Sequence, residues 1–364
     1  MLPDYTNCIT NIIASIEAHH GLAPLQQTHP VVDALLGEKH YRSIVLLLYD
    51  GLSVATLKEA LPEDAFLLGH LHTTLSSVYP PTTTAAVTSL KSGLNPIQHG
   101  WIGWTMHLPS LDQNVDLFIN RLQNDSQFAS LDNAGMSLLP YTTFTSRLRA
   151  QGIDAVEISS YGDVVTSGRG EMTEAVIARC LSPGAHVIYA YDGNPDALMH
   201  EIGAHHPDVM TLVRTLNQEA EAFAQWLPED ALLLITADHG LVDAEYVMLS
   251  DYPEILDCMV RPYAVEGRTA AFFIKPGLRD RFKEVFTAAL SDRFTLMTTS
   301  EFLASGLLGP GVMHPSLPAM LGDFIAIAKG NACLSMKPEY AGLVGVHAGF
   351  TEREMQVPLI VAKR

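Results

Sequence analysis

Three stretches of the chain are apolar at consecutive positions: SIVLLLY (43–49), HVIYAY (186–191) and ALLLITA (231–237). A strand with one wet face alternates apolar and polar residues. Uninterrupted runs of this length therefore predict strands covered on both faces, as inside a parallel sheet. HTTLSSVY (72–79), AVEISS (155–160), DFIAIA (323–328) and VPLIV (357–361) predict further strands. Between them the period changes. Val209, Val213, Leu216, Ala220, Phe223 and Leu227 recur at steps of four and three, which predicts an amphipathic helix over 207–227. Strands alternating with helices predict an α/β fold with a doubly wound, mostly parallel sheet flanked by helices.

The pattern is interrupted once. Within 248–318, RTAAFFIK reads as a strand and LRDRFKEVFTAAL as a helix with Leu278, Phe282, Val285 and Phe286 on one face. The Gly/Pro-rich stretch GLLGPGVMHPSLP then leads back toward the main sheet. These features predict a small α+β lid at 248–318, inserted into a core made of 1–247 and 319–364. No internal repeat accompanies them.

Composition narrows the picture. With 48% hydrophobic and 17% charged residues among 364, the chain can bury a sizeable core and is not a disordered segment. Its 22 basic and 40 acidic residues give a formal net charge of −18. A nucleic-acid polymer and an anionic membrane surface are therefore excluded as partners unless cations intervene, whereas a small anionic ester is still admissible. No apolar stretch is long enough to cross a bilayer, and MLPDYTNCITNIIAS lacks a basic segment followed by an apolar run. Cys8, Cys180, Cys258 and Cys333 show no paired spacing and read as buried thiols of a reducing compartment. The expected location is cytoplasmic.

Each of the three apolar runs leads into a carboxylate. The first is followed by Asp50-Gly51, the second by Asp192 and then NPDALMHEIG, and the third by Asp238-His239-Gly240. In open α/β sheets ligands bind beyond the carboxyl ends of the strands. One aspartate there is an ordinary turn former; three, two of them accompanied by histidine, point to a metal site. If helical, Asp196-Ala-Leu-Met-His200 places a carboxylate and an imidazole four residues apart on one face, close enough to share an ion. Asp192 more naturally shapes the turn. His347 stands in GVHAGFTEREMQVPLIV, between Gly345 and Gly349 and just before the last strand.

The segment YPPTTTAAVTSLKSGLNPIQHGW (79–101) sets three threonines where a helix begins. A threonine N-cap is one reading. A nucleophilic hydroxyl at a helix N-terminus, where free N–H groups favour an anion, is the other.

Together, Asp50-Gly51, the Thr-rich helix start, PDALMHEIG, TADHG and HAG…VPLIV resemble the nucleotide pyrophosphatase/phosphodiesterase branch of the alkaline phosphatase superfamily. The motifs run in that family's order over residues 44–361. The resemblance implies an alkaline phosphatase-like fold and two divalent metal ions, most often Zn²⁺ with Mn²⁺ as the alternative. By that likeness Asp196, His200 and His347 would hold one ion, and Asp50, Asp238 and His239 the other, with Thr83 beside it as nucleophile. Thr82 and Thr84 would then shape the turn and cap the helix. The implied chemistry is cleavage of a phosphodiester or pyrophosphate bond of a small substrate through a phosphothreonine. A phosphomonoesterase, a phosphonoacetate hydrolase and a metal-binding chain without catalysis are the alternatives. One position departs from the family: after His99-Gly100 an Asn often donates to a phosphate oxygen, and here Trp104 stands at about that place. Trp104 is accordingly a substrate-contact candidate whose indole can donate but not accept.

Overall fold

The computed structural model describes residues 2–363. Its main sheet has seven strands in the order Leu71–Ser76, Gln356–Lys363, Ala231–Thr236, Ser43–Tyr49, His186–Asp192, Asp154–Ser159 and Val164–Val165. The three uninterrupted apolar runs lie side by side at its centre, and every residue of Ser43–Tyr49 and Ala231–Thr236 is buried. This is the sheet that consecutive apolar positions require.

Register decides what the sheet presents. Ser43 pairs with His186 on one side and Ala231 on the other, all three strands parallel. With the starts level, the ends are level as well: Tyr49 lies opposite Asp192, and Leu48 opposite Thr236. The residues after these strands therefore emerge together along one edge. The strand Gln356–Lys363 runs antiparallel to both neighbours, with Gln356 opposite Ser76. Its beginning falls on that same edge, so the loop before it and the segment after Ser76 are both delivered there.

Helices flank the sheet. Pro207–Trp226 buries Val209, Val213, Leu216, Ala220 and Phe223. It packs against Val54–Ala60 and Phe66–Gly69. Ile9–His19 packs against Thr83–Ser92 and, more lightly, Phe144–Ala150. A fully buried Val, Leu or Phe contributes about 1.5–3 kcal/mol, so such faces outweigh the weak helix propensity of any one residue.

The second unit differs from the expected lid. An antiparallel sheet of seven strands runs in the order Phe294–Thr298, Phe324–Ala328, Thr269–Phe272, Ala264–Val265, Thr105–Leu108, Gln113–Asp116 and Arg121–Leu122. DFIAIA thus belongs to this sheet and not to the main one. Residues 105–122, placed in the core by the expected limits of 1–247 and 319–364, pair with the same sheet, so 248–318 is only part of the unit. The reason is physical. A short buried strand looks alike in either sheet, and Ile325 and Ile327 find their partners across Ala271 and Thr269. The unit has its own apolar clusters, one around Trp101, Met106 and Phe302 and one around Phe272, Phe282 and Phe286. The helix Arg279–Leu290 covers the latter with Phe282, Val285, Phe286 and Leu290.

Candidate active site

Asp50 leaves the end of its strand buried. Its Oδ2 accepts from the Tyr191 hydroxyl, while Oδ1 is buried with no hydrogen-bond partner among the described residues. Gly51 follows at φ +76°, and a Cβ there would meet Asp196 Cβ at 2.9 Å. Only glycine lets the helix Asp196–Ile202 approach this closely. Asp238 is fully buried; its Oδ1 accepts from the N–H groups of Gly51 (3.1 Å) and His239 (2.9 Å), and its Oδ2 has no hydrogen-bond partner among the described residues. His239 Nε2 lies 3.3 Å from that oxygen and 3.6 Å from Asp50 Oδ1. The ligand atoms of Asp50, Asp238 and His239 all fall within 4.8 Å of one another.

A second cluster adjoins the first. On the helix Asp196–Ile202 the i, i+4 spacing brings His200 Nε2 to 3.3 Å from Asp196 Oδ2. His200 Nδ1 lies 2.8 Å from the Gly345 carbonyl, which fixes the ring by accepting its N–H. His347, delivered by the loop before the antiparallel strand, completes this cluster within the same 4.8 Å limit. Its ring centroid is 5.1 Å from that of His200 and 4.1 Å from that of His239, so it touches both clusters. Asp192, in contrast, binds Asn194 and faces Arg169 at 3.5 Å.

The donor set fits divalent cations. Asp50 Oδ1, Asp196 Oδ1, Asp238 Oδ2 and His347 Nδ1 are buried side-chain atoms without a partner among the described residues. Buried unpaired carboxylates are costly, and cations satisfy them. The titration of the metal-free chain carries the same strain. Burial, reinforced by the charges of Asp238 and Asp196, raises Asp50 well above the usual carboxylate range. Burial likewise raises Asp238. Burial and the neighbouring His239 and His200 push His347 far down. For His200 burial acts downward, but the hydrogen bond and charge of Asp196 prevail and hold it at about 9. Mixed carboxylate and imidazole donors suit Zn²⁺, and Mn²⁺ is compatible.

The threonines separate into three roles. Thr83 is the first residue of the helix Thr83–Ser92, and its Oγ1 lies 3.1 Å from His239 Nε2. Thr82 occupies the N-cap position without capping; its hydroxyl donates to Glu266 Oε1 at 2.7 Å. Thr84 is buried and its hydroxyl has no partner among the described residues. Neither neighbour supplies a side-chain cap, which corrects the expected division of labour: the carboxylate of Glu266 outcompetes the backbone for Thr82.

Beside this centre opens a cavity of about 890 Å³, lined by Asp50, Thr83 and Asp196 together with Trp104, Phe118 and Tyr141. Trp104 is 37% exposed and meets Phe118 edge to face. Its backbone N–H donates to Glu266 Oε1 at 2.7 Å. Trp101 is buried, and its indole donates to the Leu139 carbonyl.

Supporting residues came from places the sequence did not mark. Arg268 and Glu354 form a fully buried two-point pair, with Nε–Oε1 at 2.7 Å and Nη2–Oε2 at 2.8 Å. Glu354 Oε1 also accepts from Gly349 N–H, and a Cβ on Gly349 would lie 2.4 Å from the guanidinium. The Thr269 hydroxyl donates to the Ala348 carbonyl, whose own N–H donates to Pro81. His347 is thereby tied both to the second sheet and to the approach to Thr83. Glu266, Arg268 and Tyr191 carry no spacing signal in the sequence, whereas Glu354 is the last residue of the capping-box pattern Thr351-x-x-Glu354.

Over residues 44–276 the chain matches the family described as type I phosphodiesterase / nucleotide pyrophosphatase. No curated protein matches it. Among solved structures it is similar to murine ectonucleotide pyrophosphatase / phosphodiesterase 5, captured as an inactive variant in complex with AMP. The TM-score is 0.67 at 16% identity, covering 89% of this chain and 88% of that chain. The human counterpart gives 0.65 at 17% identity, covering 88% and 87%. At such identities the likeness establishes the fold, which is alkaline phosphatase-like.

Proposed function

The chain belongs to the type I phosphodiesterase / nucleotide pyrophosphatase family, and from that premise we propose that it cleaves a phosphodiester or pyrophosphate bond of a small nucleotide-like ester with Thr83 as nucleophile. One observation carries this reading. The Thr83 hydroxyl lies 3.1 Å from His239, at the margin of two adjoining clusters whose donor atoms are buried and unpaired. Asp50, Asp238 and His239 would hold one divalent ion, and Asp196, His200 and His347 a second. When bound, such ions supply Lewis acidity that lowers the pKa of a hydroxyl and steadies the entering and leaving oxygens.

Thr83 Oγ1 forms a bond to phosphorus as the bond to the leaving oxygen breaks, giving a phosphothreonine. Water then attacks phosphorus and restores the hydroxyl. The ten-residue helix that starts at Thr83 presents its positive end to the anionic group. The murine relative captured with AMP supports a nucleotide-like ligand, and it is inactive through a threonine-to-alanine change.

The test joins metal analysis with turnover. Protein reconstituted with excess zinc should carry two equivalents and hydrolyse an aryl phosphodiester, with label from the substrate phosphorus trapped on Thr83 by acid quench. One equivalent or none, or label elsewhere, overturns the reading.

A further inference from the structure

Glu266 enters the site from the second sheet. It follows Val265, a β-branched residue held at φ +75°. Gly103 packs so closely against that valine that a Cβ would sit 2.6 Å from it. Such strain persists where the surroundings fix a functional geometry. The N–H of Glu266 is bonded to the Thr269 carbonyl at 2.9 Å, which holds the turn. One carboxylate oxygen receives both the Thr82 hydroxyl and the Trp104 N–H, each at 2.7 Å. The carboxylate therefore lies against Thr82, the residue preceding Thr83, and against the backbone of Trp104, which lines the cavity.

This placement sets an acidic group against Trp104, which lines the cavity. Where the family resemblance implies an amide donor for a phosphate oxygen, the Trp104 N–H is already taken by the carboxylate of Glu266, which burial raises to about 7 and which is therefore mostly ionised near pH 8. A diester phosphate brings one negative charge to the site, and a monoester brings up to two. Like charges at close range in a partly desolvated site repel strongly.

We infer that Glu266 is a specificity-determining residue that disfavours a second negative charge on the bound phosphoryl group, so that the site selects diesters over monoesters. The inference rests on the reading of Thr83 and the two clusters as the phosphoryl site.

Glu266→Gln tests it, because the amide oxygen can still accept from Thr82 and Trp104 while the charge is gone. Zinc-reconstituted wild type and variant are compared near pH 8 on a matched aryl phosphodiester and monoester, and titrated with inorganic phosphate by calorimetry. The monoester-to-diester ratio of kcat/KM should rise about tenfold or more, and phosphate should bind about tenfold tighter. Parallel changes on both esters with unchanged phosphate affinity overturn the inference and leave Glu266 as an anchor for Thr82. If wild type turns over neither ester, the proposed function falls, and phosphate affinity still decides the role of Glu266. Should Glu266→Gln fail to fold, Glu266→Ser gives the same comparison with a smaller neutral side chain.

Discussion

Thr83 Oγ1 and His239 Nε2 are 3.1 Å apart although 156 residues separate them in the chain. The level register of the central strands brings His239 to the sheet edge, and the antiparallel pairing of Gln356–Lys363 with Leu71–Ser76 brings Thr83 to the same place. From this contact follows the sharpest expectation about the chain. Thr83→Ala should keep its melting temperature and metal content yet lose several orders of magnitude in turnover, whereas Thr83→Ser should retain substantial activity. Thr82→Ala should be milder, since its hydroxyl serves Glu266. Turnover and thermal melts on the same preparations check this. Normal turnover by Thr83→Ala, with Thr82→Ala or Thr84→Ala inactive, would move the nucleophile by one residue.

The two carboxylates near the second apolar run should behave differently. Asp196→Asn exchanges a ligand-competent oxygen, unpaired in the fold, for a neutral amide, and zinc content should fall toward one equivalent. Asp192 contacts Asn194 and Arg169 and lies outside both clusters, so Asp192→Asn should retain two equivalents. Elemental analysis of both variants decides, and the opposite ranking would place the ligand at Asp192.

His99 should set part of the acid limit of stability. Buried between Ser89 and the Trp101 N–H, it is pushed by burial down to about 3. The unfolded chain takes up this proton near the ordinary value, so between the two values the unfolded state binds more protons and stability falls as pH falls. The loss should approach about 1.4 kcal/mol per pH unit within that window and be absent above it. Denaturant melts of metal-free protein from pH 4 to 7 should show a steeper slope in wild type than in His99→Asn. Equal slopes would refute the assignment.

Breaking the Arg268–Glu354 pair from one side should be severe. Glu354→Gln leaves a fully buried guanidinium without its counter-charge, for which about 3–5 kcal/mol is typical. The double variant Arg268→Met/Glu354→Leu should recover part of that stability but not activity. In the double variant the Gly349 N–H loses its acceptor, and the loop bearing His347 loses its hold. Chemical denaturation and turnover measured together separate the two effects.

What the sequence by itself determined is whatever local periodicity and strand-end chemistry encode. Consecutive apolar residues specified the central strands. The recurrence of Val209, Val213 and Leu216 specified a helix, and the aspartates after three buried strands marked the edge where chemistry gathers. Asp196 and His200 were legible as a pair because four residues on a helix are one turn. Only the tertiary structure decided which sheet Phe324–Ala328 would join, because a short apolar strand carries no mark of its partner. It also decided that residues 105–122 would build the second sheet, and that Thr82 would turn away from its helix toward Glu266. These outcomes depend on contacts between residues from tens to more than a hundred positions apart. Such contacts arise from register and packing, and a single chain read in order contains no periodic trace of them.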